Sequence, residues 1–247
     1  MKNSQLRLEM KKTLGNSSLK IFWDIDGTLL NTNGAAAIPF AAAVSKFAQQ
    51  DVRIERKKLS GFTDYEIAQY LLESKGTKAS FREITQILMD YASHLPSFLH
   101  GSNAKIIGCV KESLTILSKL PNVELAIGTG NFLQGAKIKL EYAGLLHYFS
   151  QHNLFCSTEN HWSRDLVISN AKKSLRNNQI GIVIGDSIRD ILSARNSDLI
   201  VVAVATGSHS SSELLELNPD FILESNWNHQ ELFDAIEKIL KTKSING

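Results

Sequence analysis

The 247-residue sequence has little of several things that would settle its class at once. Two cysteines, Cys109 and Cys156, are too few for a disulfide framework and fit a reducing, cytoplasmic setting. The longest uninterrupted apolar run, residues 199–205, is far short of the ~20 residues needed to cross a bilayer. The first twenty residues are polar and mixed, without the apolar stretch of a signal peptide. No membrane-spanning helix is therefore expected. Charge of one sign is also missing, since 27 Lys and Arg stand against 25 Asp and Glu. Lys2, Arg7, Lys11, Lys12 and Lys20 against Glu9 put the basic excess in an N-terminal tail and leave the remainder slightly acidic. That argues against a nucleic-acid partner. The seven histidines show no His-x-His or His-Glu-x-x-His spacing, and His152, Cys156 and His161 make at best a loose mixed set, so no zinc site is expected. There is no internal repeat, and the serine-rich 208–212 reads as a loop and helix cap.

What remains is an ordinary globular composition, 43% apolar, with short β-type runs alternating with amphipathic stretches. This is the pattern of an α/β protein with a parallel sheet. Strands are expected over residues 19–23, 123–127, 180–184 and 199–204, with a weaker edge strand over 221–223. Gly128, Gly185 and Gly207 follow three of these, so each should break into a turn bordering one ligand crevice. The first two strands are separated by about a hundred residues without a comparable β-type run, far more than a crossover helix needs. Helices are expected over 35–47, from a Thr63/Glu66 capping box onward, over 81–91 and over 106–120, with a last one carrying Leu232, Phe233, Ile236, Ile239 and Leu240.

Three strand ends carry chemistry. Trp23-Asp24-Ile25-Asp26-Gly27-Thr28 places two carboxylates two residues apart, so an extended backbone points both the same way. Such anions repel unless a cation lies between them or one is protonated, although a solvated Asp-Gly turn has the same spelling. Gly185-Asp186-Ser187-Ile188-Arg189-Asp190 brings further carboxylates to a strand end. Ser187 and Asp190 also have the spacing of a helix capping box. Oxygen ligands from two strand ends suit Mg²⁺, a hard cation that uses carboxylates, water and substrate phosphate. Gly128-Thr129-Gly130-Asn131 offers either a hydroxyl and amides for an anion or a plain turn with a Thr N-cap.

In this order the motifs resemble the haloacid dehalogenase superfamily, whose phosphatases carry Asp-x-Asp-Gly-Thr, a strand-end Ser or Thr, a basic residue and Gly-Asp-x-x-x-Asp. The resemblance runs from about residue 20 to 226 and is strongest to the phosphoglycolate-phosphatase and phosphoglucomutase-like branch. It implies a Rossmann-like core over 20–32 and 105–247, a helical cap over 33–104 and a tail over 1–19. Gly61-Phe62-Thr63-Asp64 is similar to that branch's specificity loop. The implied activity is Mg²⁺-dependent hydrolysis of a small phosphorylated metabolite. Asp24 would be the nucleophile, and Asp26 would protonate the leaving alcohol and then take a proton from water. Asp24, the Asp26 carbonyl and Asp186 would hold Mg²⁺, with Asp190 in support, and Thr129 and Gly130 would bind phosphate.

The sequence departs from the commoner pattern where a Lys is usual. Arg164, in His161-Trp162-Ser163-Arg164-Asp165, is the substitute, its fork able to grip phosphate oxygens and pair with a carboxylate, unless it is an exposed first-turn Arg beside an N-cap serine. Lys172 and Lys173 lie too far along the same helix. Phe62 and Tyr65 face either substrate or helix packing. A phosphomutase of the same branch uses the same aspartates. A dehalogenase needs neither Asp26 nor metal, and a phosphonatase does not use the position of Asp26 as its acid. A non-catalytic binding protein finds support only in the missing Lys.

Overall fold

The computed structural model describes residues 18–245, with side chains as far as 241. The chain runs β1 (Ser18–Trp23), β2 (Leu30–Asn31), α1 (Ala37–Ala48), α2 (Asp64–Glu73), α3 (Phe81–His100), β3 (Lys105–Ile106), α4 (Val110–Leu117) and β4 (Val123–Phe132). It continues as α5 (Leu133–Tyr142), β5 (Leu154–Ser157), α6 (Arg164–Lys172), β6 (Gln179–Gly185), α7 (Ile188–Asn196), β7 (Ile200–Val204), α8 (Ser211–Leu215), β8 (Phe221–Leu223) and α9 (His229–Ile245). Six strands form a parallel sheet in the order β5-β4-β1-β6-β7-β8. The chain steps from β1 to β4 and β5 on one side, then returns to build β6, β7 and β8 on the other. This α/β, Rossmann-like winding leaves a crevice at the carboxyl ends of the strands flanking β1.

Alternation along β1 explains how both faces are covered. Leu19, Ile21 and Trp23 join an apolar layer with Leu114 and Leu117 of α4 and Phe233 and Ile236 of α9. Phe22 points to the opposite layer, built with Ile168 of α6 and Ile191 of α7. Lys20 is on that second side and is not part of a tail. It is 3% exposed, its Nζ is 3.0 Å from its cross-strand partner Glu124, and it lies over the Phe155 ring. Of the basic residues expected to form the tail, Lys2, Arg7, Lys11 and Lys12 lie outside the described residues.

Between β2 and β3 the described residues form three helices around their own apolar cluster, which includes Phe40, Leu72, Leu88 and Leu95. Capping boxes start α2 at Thr63/Glu66 and α3 at Ser80/Glu83. β2 and β3 pair antiparallel, Leu30 opposite Ile106, where these helices leave and rejoin the sheet layer. That ladder corrects the helix expected over 106–120: residues 105–106 are strand, and α4 begins only at Val110. β4 is longer than expected, running through Gly128 to Phe132 with an irregular register against β5. β5 itself escaped the sequence reading, being a four-residue edge strand whose half-buried Leu154 and Phe155 are followed by Cys and Ser. No helix among the described residues is long and apolar enough to cross a membrane.

Candidate active site

Register sets the site. Trp23 is level with Ile127 of β4 and Ile184 of β6, so Asp24, Thr129 and Asp186 emerge together at one sheet edge. The Asp24 amide continues the ladder to the Ile184 carbonyl at 2.9 Å. Asp186 accepts from Thr28 Oγ1 at 3.1 Å. Gly27 is needed here twice over: its φ is +84°, and a Cβ on it would lie 2.4 Å from Asp186 Oδ2. Thr206 Oγ1 donates to the Gly27 carbonyl at 2.5 Å, tying the loop after β7 to the loop after β1.

Asp24, Asp186 and Asp190 are all buried, with one carboxylate oxygen of each within 4.8 Å of the others. Arg164, the first residue of α6, is 3% exposed and not the surface residue that its position also allowed. Its Nη2 donates to Asp24 Oδ1 at 3.0 Å and also to Asp190 Oδ1. Asp190 Oδ2 meanwhile accepts from the Ser187 amide at 3.0 Å and hydroxyl at 2.6 Å. The capping box and the arginine contact therefore coexist, one on each carboxylate oxygen.

Three buried carboxylates against one guanidinium leave surplus negative charge. Burial pushes Asp24 up to about 7, opposed by Arg164 and a Thr129 hydrogen bond and reinforced by Asp190 and Asp26. Asp186 is raised well above the usual carboxylate range by burial, then by Asp24 and Asp190. Burial works against the charge on Arg164, but Asp190 and Asp24 more than offset it and hold the guanidinium protonated. A buried set of hard oxygens with unbalanced charge fits a divalent cation such as Mg²⁺. Among the described residues this acidic trio is the one group of at least three His, Cys, Asp or Glu placed to hold a metal ion; His152, Cys156 and His161 form none.

Thr129 differs from expectation. It is fully buried inside β4 and neither caps a helix nor lies open at a turn; its hydroxyl accepts from Asn131 Nδ2 at 2.8 Å. A Cβ on Gly130 would lie 2.8 Å from the Phe62 carbonyl, so glycine is required where the loop before α2 presses on β4. Asp64, the first residue of α2, reaches across and accepts from the Phe132 amide at 2.8 Å, next to the start of α5.

Asp26 is in different surroundings, with its side chain 40% exposed. Its Oδ2 accepts from Asn131 Nδ2 at 2.8 Å and from Lys139 Nζ at 2.5 Å. Sequence reasoning missed Lys139. Its signal was a charged residue on the buried face of α5, beside Gly135, Ala136 and Leu140. Burial disfavours its charge, yet Asp26, Tyr91 and Asp64 together raise its pKa.

A cavity of about 460 Å³ lies between the strand ends and the inserted helices. Asp24, Asp26, Asp186 and Arg164 line one side, Phe40, Ile54, Phe62 and Tyr91 the other. Tyr65 instead packs away from it, its hydroxyl 2.8 Å from Thr85. Lys172 pairs with Asp198 at the surface, 3.1 Å away.

A doubly wound sheet with carboxylates converging at its switch point defines an α/β protein with an acidic ligand site at its strand ends. Residues 21–204 match the model of the haloacid dehalogenase-like hydrolase family, and the chain belongs to it. It is similar to a protein named probable phosphatase IndB from Dickeya dadantii, 23% identical over 91% of this chain and 96% of the other. Its fold is similar to that of a haloacid dehalogenase-like family hydrolase from Streptococcus pneumoniae, at 22% identity and TM-score 0.63, covering 90% of this chain and 99% of the other. CbbY from Rhodobacter sphaeroides, solved with phosphate, matches at 14% identity and TM-score 0.65 over 83% of this chain and 93% of its own.

Proposed function

We propose that this hydrolase is a Mg²⁺-dependent phosphatase of a small phosphorylated metabolite, working through an aspartyl-phosphate at Asp24. The observation that carries the reading is the contrast between two carboxylates two residues apart. Asp24 is buried among Asp186, Asp190 and Arg164, whereas Asp26 is half exposed in the cavity wall on Lys139 and Asn131. Two carboxyl groups in unlike surroundings at one cavity suit a nucleophile and an acid–base partner. The phosphatase name of the similar Dickeya protein and the phosphate in the similarly folded CbbY agree with it.

In the first step a carboxylate oxygen of Asp24 forms a bond to phosphorus as the ester P–O bond breaks. The departing oxygen takes the Asp26 carboxyl proton. In the second step water attacks the same phosphorus, its proton passes to Asp26, and the Asp24 O–P bond breaks to release phosphate. One carboxyl serves both steps because the leaving alcohol and the incoming water use the same apical position. Arg164 holds Asp24 Oδ1 and restrains which oxygen attacks. Asp24, Asp186 and the Asp26 carbonyl would hold Mg²⁺, which supplies charge neutralisation that lets two anions approach. Residues 33–104 serve as a cap over a core made of 20–32 and 105–247, excluding bulk water from the cavity.

The test is phosphate release from a panel of phosphorylated metabolites and one aryl phosphate, with Mg²⁺ or EDTA, for wild type and Asp24→Asn. The expected result is metal-dependent release from wild type that falls at least about 1,000-fold in the variant. Retained release in Asp24→Asn, or none from wild type on any ester, overturns the reading.

A further inference from the structure

Lys139 presents a physical problem that the chemistry above does not use. A lysine ammonium 3% exposed in the body of a helix is costly unless fixed acceptors take its protons. Asp26 Oδ2 takes one at 2.5 Å and Asn131 Oδ1 another at 2.6 Å. The hydroxyl of Tyr91, itself buried on α3, is near enough to act on the ammonium electrostatically. Held by two fixed acceptors, the ammonium is not free to follow a substrate oxygen.

Its effect falls on Asp26. Oδ2 of that carboxyl is clamped by Lys139 and by Asn131 Nδ2 together, whereas Oδ1 has no hydrogen bond among the described residues. Two fixed donors on one oxygen set both the rotation of the carboxyl and which oxygen is left to the cavity. Asn131 is in turn held by Thr129, whose hydroxyl accepts from both its amide and its side chain. The clamp also spans two parts of the molecule, since Asp26, Asn131 and Lys139 belong to the sheet layer and Tyr91 to the inserted helices. The Asp64 carboxylate on the Phe132 amide adds a second tie at the same seam.

We propose that Lys139 is a positioning residue that holds Asp26 Oδ2 so that Oδ1 meets the leaving-group oxygen, and that its contact with Tyr91 makes this alignment depend on docking of the inserted helices. The proposal rests on the reading of Asp26 as the acid, and the experiment separates the two. An aryl alcohol leaves without being protonated, whereas an alkyl alcohol needs the proton. The measurement is kcat/KM for 2,4-dinitrophenyl phosphate and for the alkyl phosphate that the panel shows to be hydrolysed fastest, in wild type, Asp26→Asn, Lys139→Met, Lys139→Arg and Tyr91→Phe. Asp26→Asn is the control for the underlying reading: it must lose far more on the alkyl ester than on the aryl one. If it does not, the acid role fails and this proposal with it.

Given that control, Lys139→Met is expected to fall about 100-fold on the alkyl ester and less than about 5-fold on the aryl ester. Lys139→Arg should recover part of the alkyl loss. A merely structural lysine would lower both esters by one factor, and that result overturns the proposal. Tyr91→Phe keeps the packed ring and folds even if removal of the lysine does not. It is expected to lower the alkyl-to-aryl ratio at least about 3-fold, and an unchanged ratio overturns the dependence on docking.

Discussion

Two buried cations sit on either side of Asp24 and Asp26, and they solve opposite problems. Arg164 belongs wholly to the sheet and its flanking helices, and it is outnumbered by the Asp24, Asp186 and Asp190 carboxylates. Lys139 lies at the seam with the inserted helices, where Asp26 Oδ2 and Asn131 Oδ1 accept from it at 2.5 and 2.6 Å. The first assembly is left short of positive charge, the condition that favours a divalent ion. The second is paired to fixed acceptors, the condition that favours fixed geometry. Asp24 and Asp26 are two residues apart in sequence but belong one to each assembly, so a short motif feeds two separate electrostatic designs.

The largest effect that would break this comparison is removal of the outnumbered cation. Arg164→Met leaves Asp24 and Asp190 facing each other without their partner and should cost about 3–5 kcal/mol in urea unfolding at pH 7 without divalent ions. A cost below about 1 kcal/mol would mean that the acidic trio does not depend on the arginine. Next comes Asp64, whose carboxyl burial pushes up to about 6 from 3.8. A folded-state pKa above the unfolded one favours the fold below pH 4 and loses that benefit as pH rises through 6. Asp64→Asn does not titrate, so its stability relative to wild type should climb by about 3 kcal/mol between pH 4 and 7 and level off above. Urea unfolding in steps of pH measures this, and a flat difference contradicts it.

Cation binding should come third. At about 100 times its dissociation constant, Mg²⁺ should raise wild-type stability by about 2.7 kcal/mol. Asp186→Asn should be more stable than wild type in EDTA, because folding no longer has to bury an ionised carboxyl or protonate it beside Asp24 and Asp190, and should lose most of the Mg²⁺ shift. Thermal unfolding with and without Mg²⁺ reads both, and an equal shift in the two proteins would remove Asp186 from the cation site. Smallest is Arg189→Ala. Arg189 is 3.2 Å from Glu66 and stacks 3.5 Å from the Phe62 ring, but it is partly exposed, so its loss should cost about 1 kcal/mol or less by the same unfolding measurement.

The Arg164 side of the comparison was more legible in the sequence than the Lys139 side. Asp24 and Asp186 stand directly after apolar runs with Gly27 and Gly185 close by, so local patterning placed them at strand ends, and Asp190 follows Asp186 by four residues. Arg164 was reached only through the resemblance, as the residue that stands in for the usual Lys. Lys139 was not found, because its partners are Asp26, far earlier in the chain, and Tyr91, on an inserted helix, and no periodicity links them. What marked it was a charge on the buried face of α5, visible only once that face is known. The glycines around Thr129 suggested a turn, whereas β4 continues to Phe132 and the Thr129 hydroxyl accepts from Asn131 within it. The length of β4 and the existence of β5 depend on strand partners, which a single strand's residues do not show.

The β2–β3 ladder bears on how such a molecule can change over time. The inserted helices leave the sheet layer at Asn31 and rejoin it at Lys105, and those two residues face each other across the ladder. The whole excursion thus begins and ends at nearly one point. Lengthening, shortening or exchanging it leaves the spacing of the six parallel strands untouched. The inserted helices and the parallel sheet are thus joined at a narrow neck, so one can be rewritten by descent while the other's strand spacing is kept.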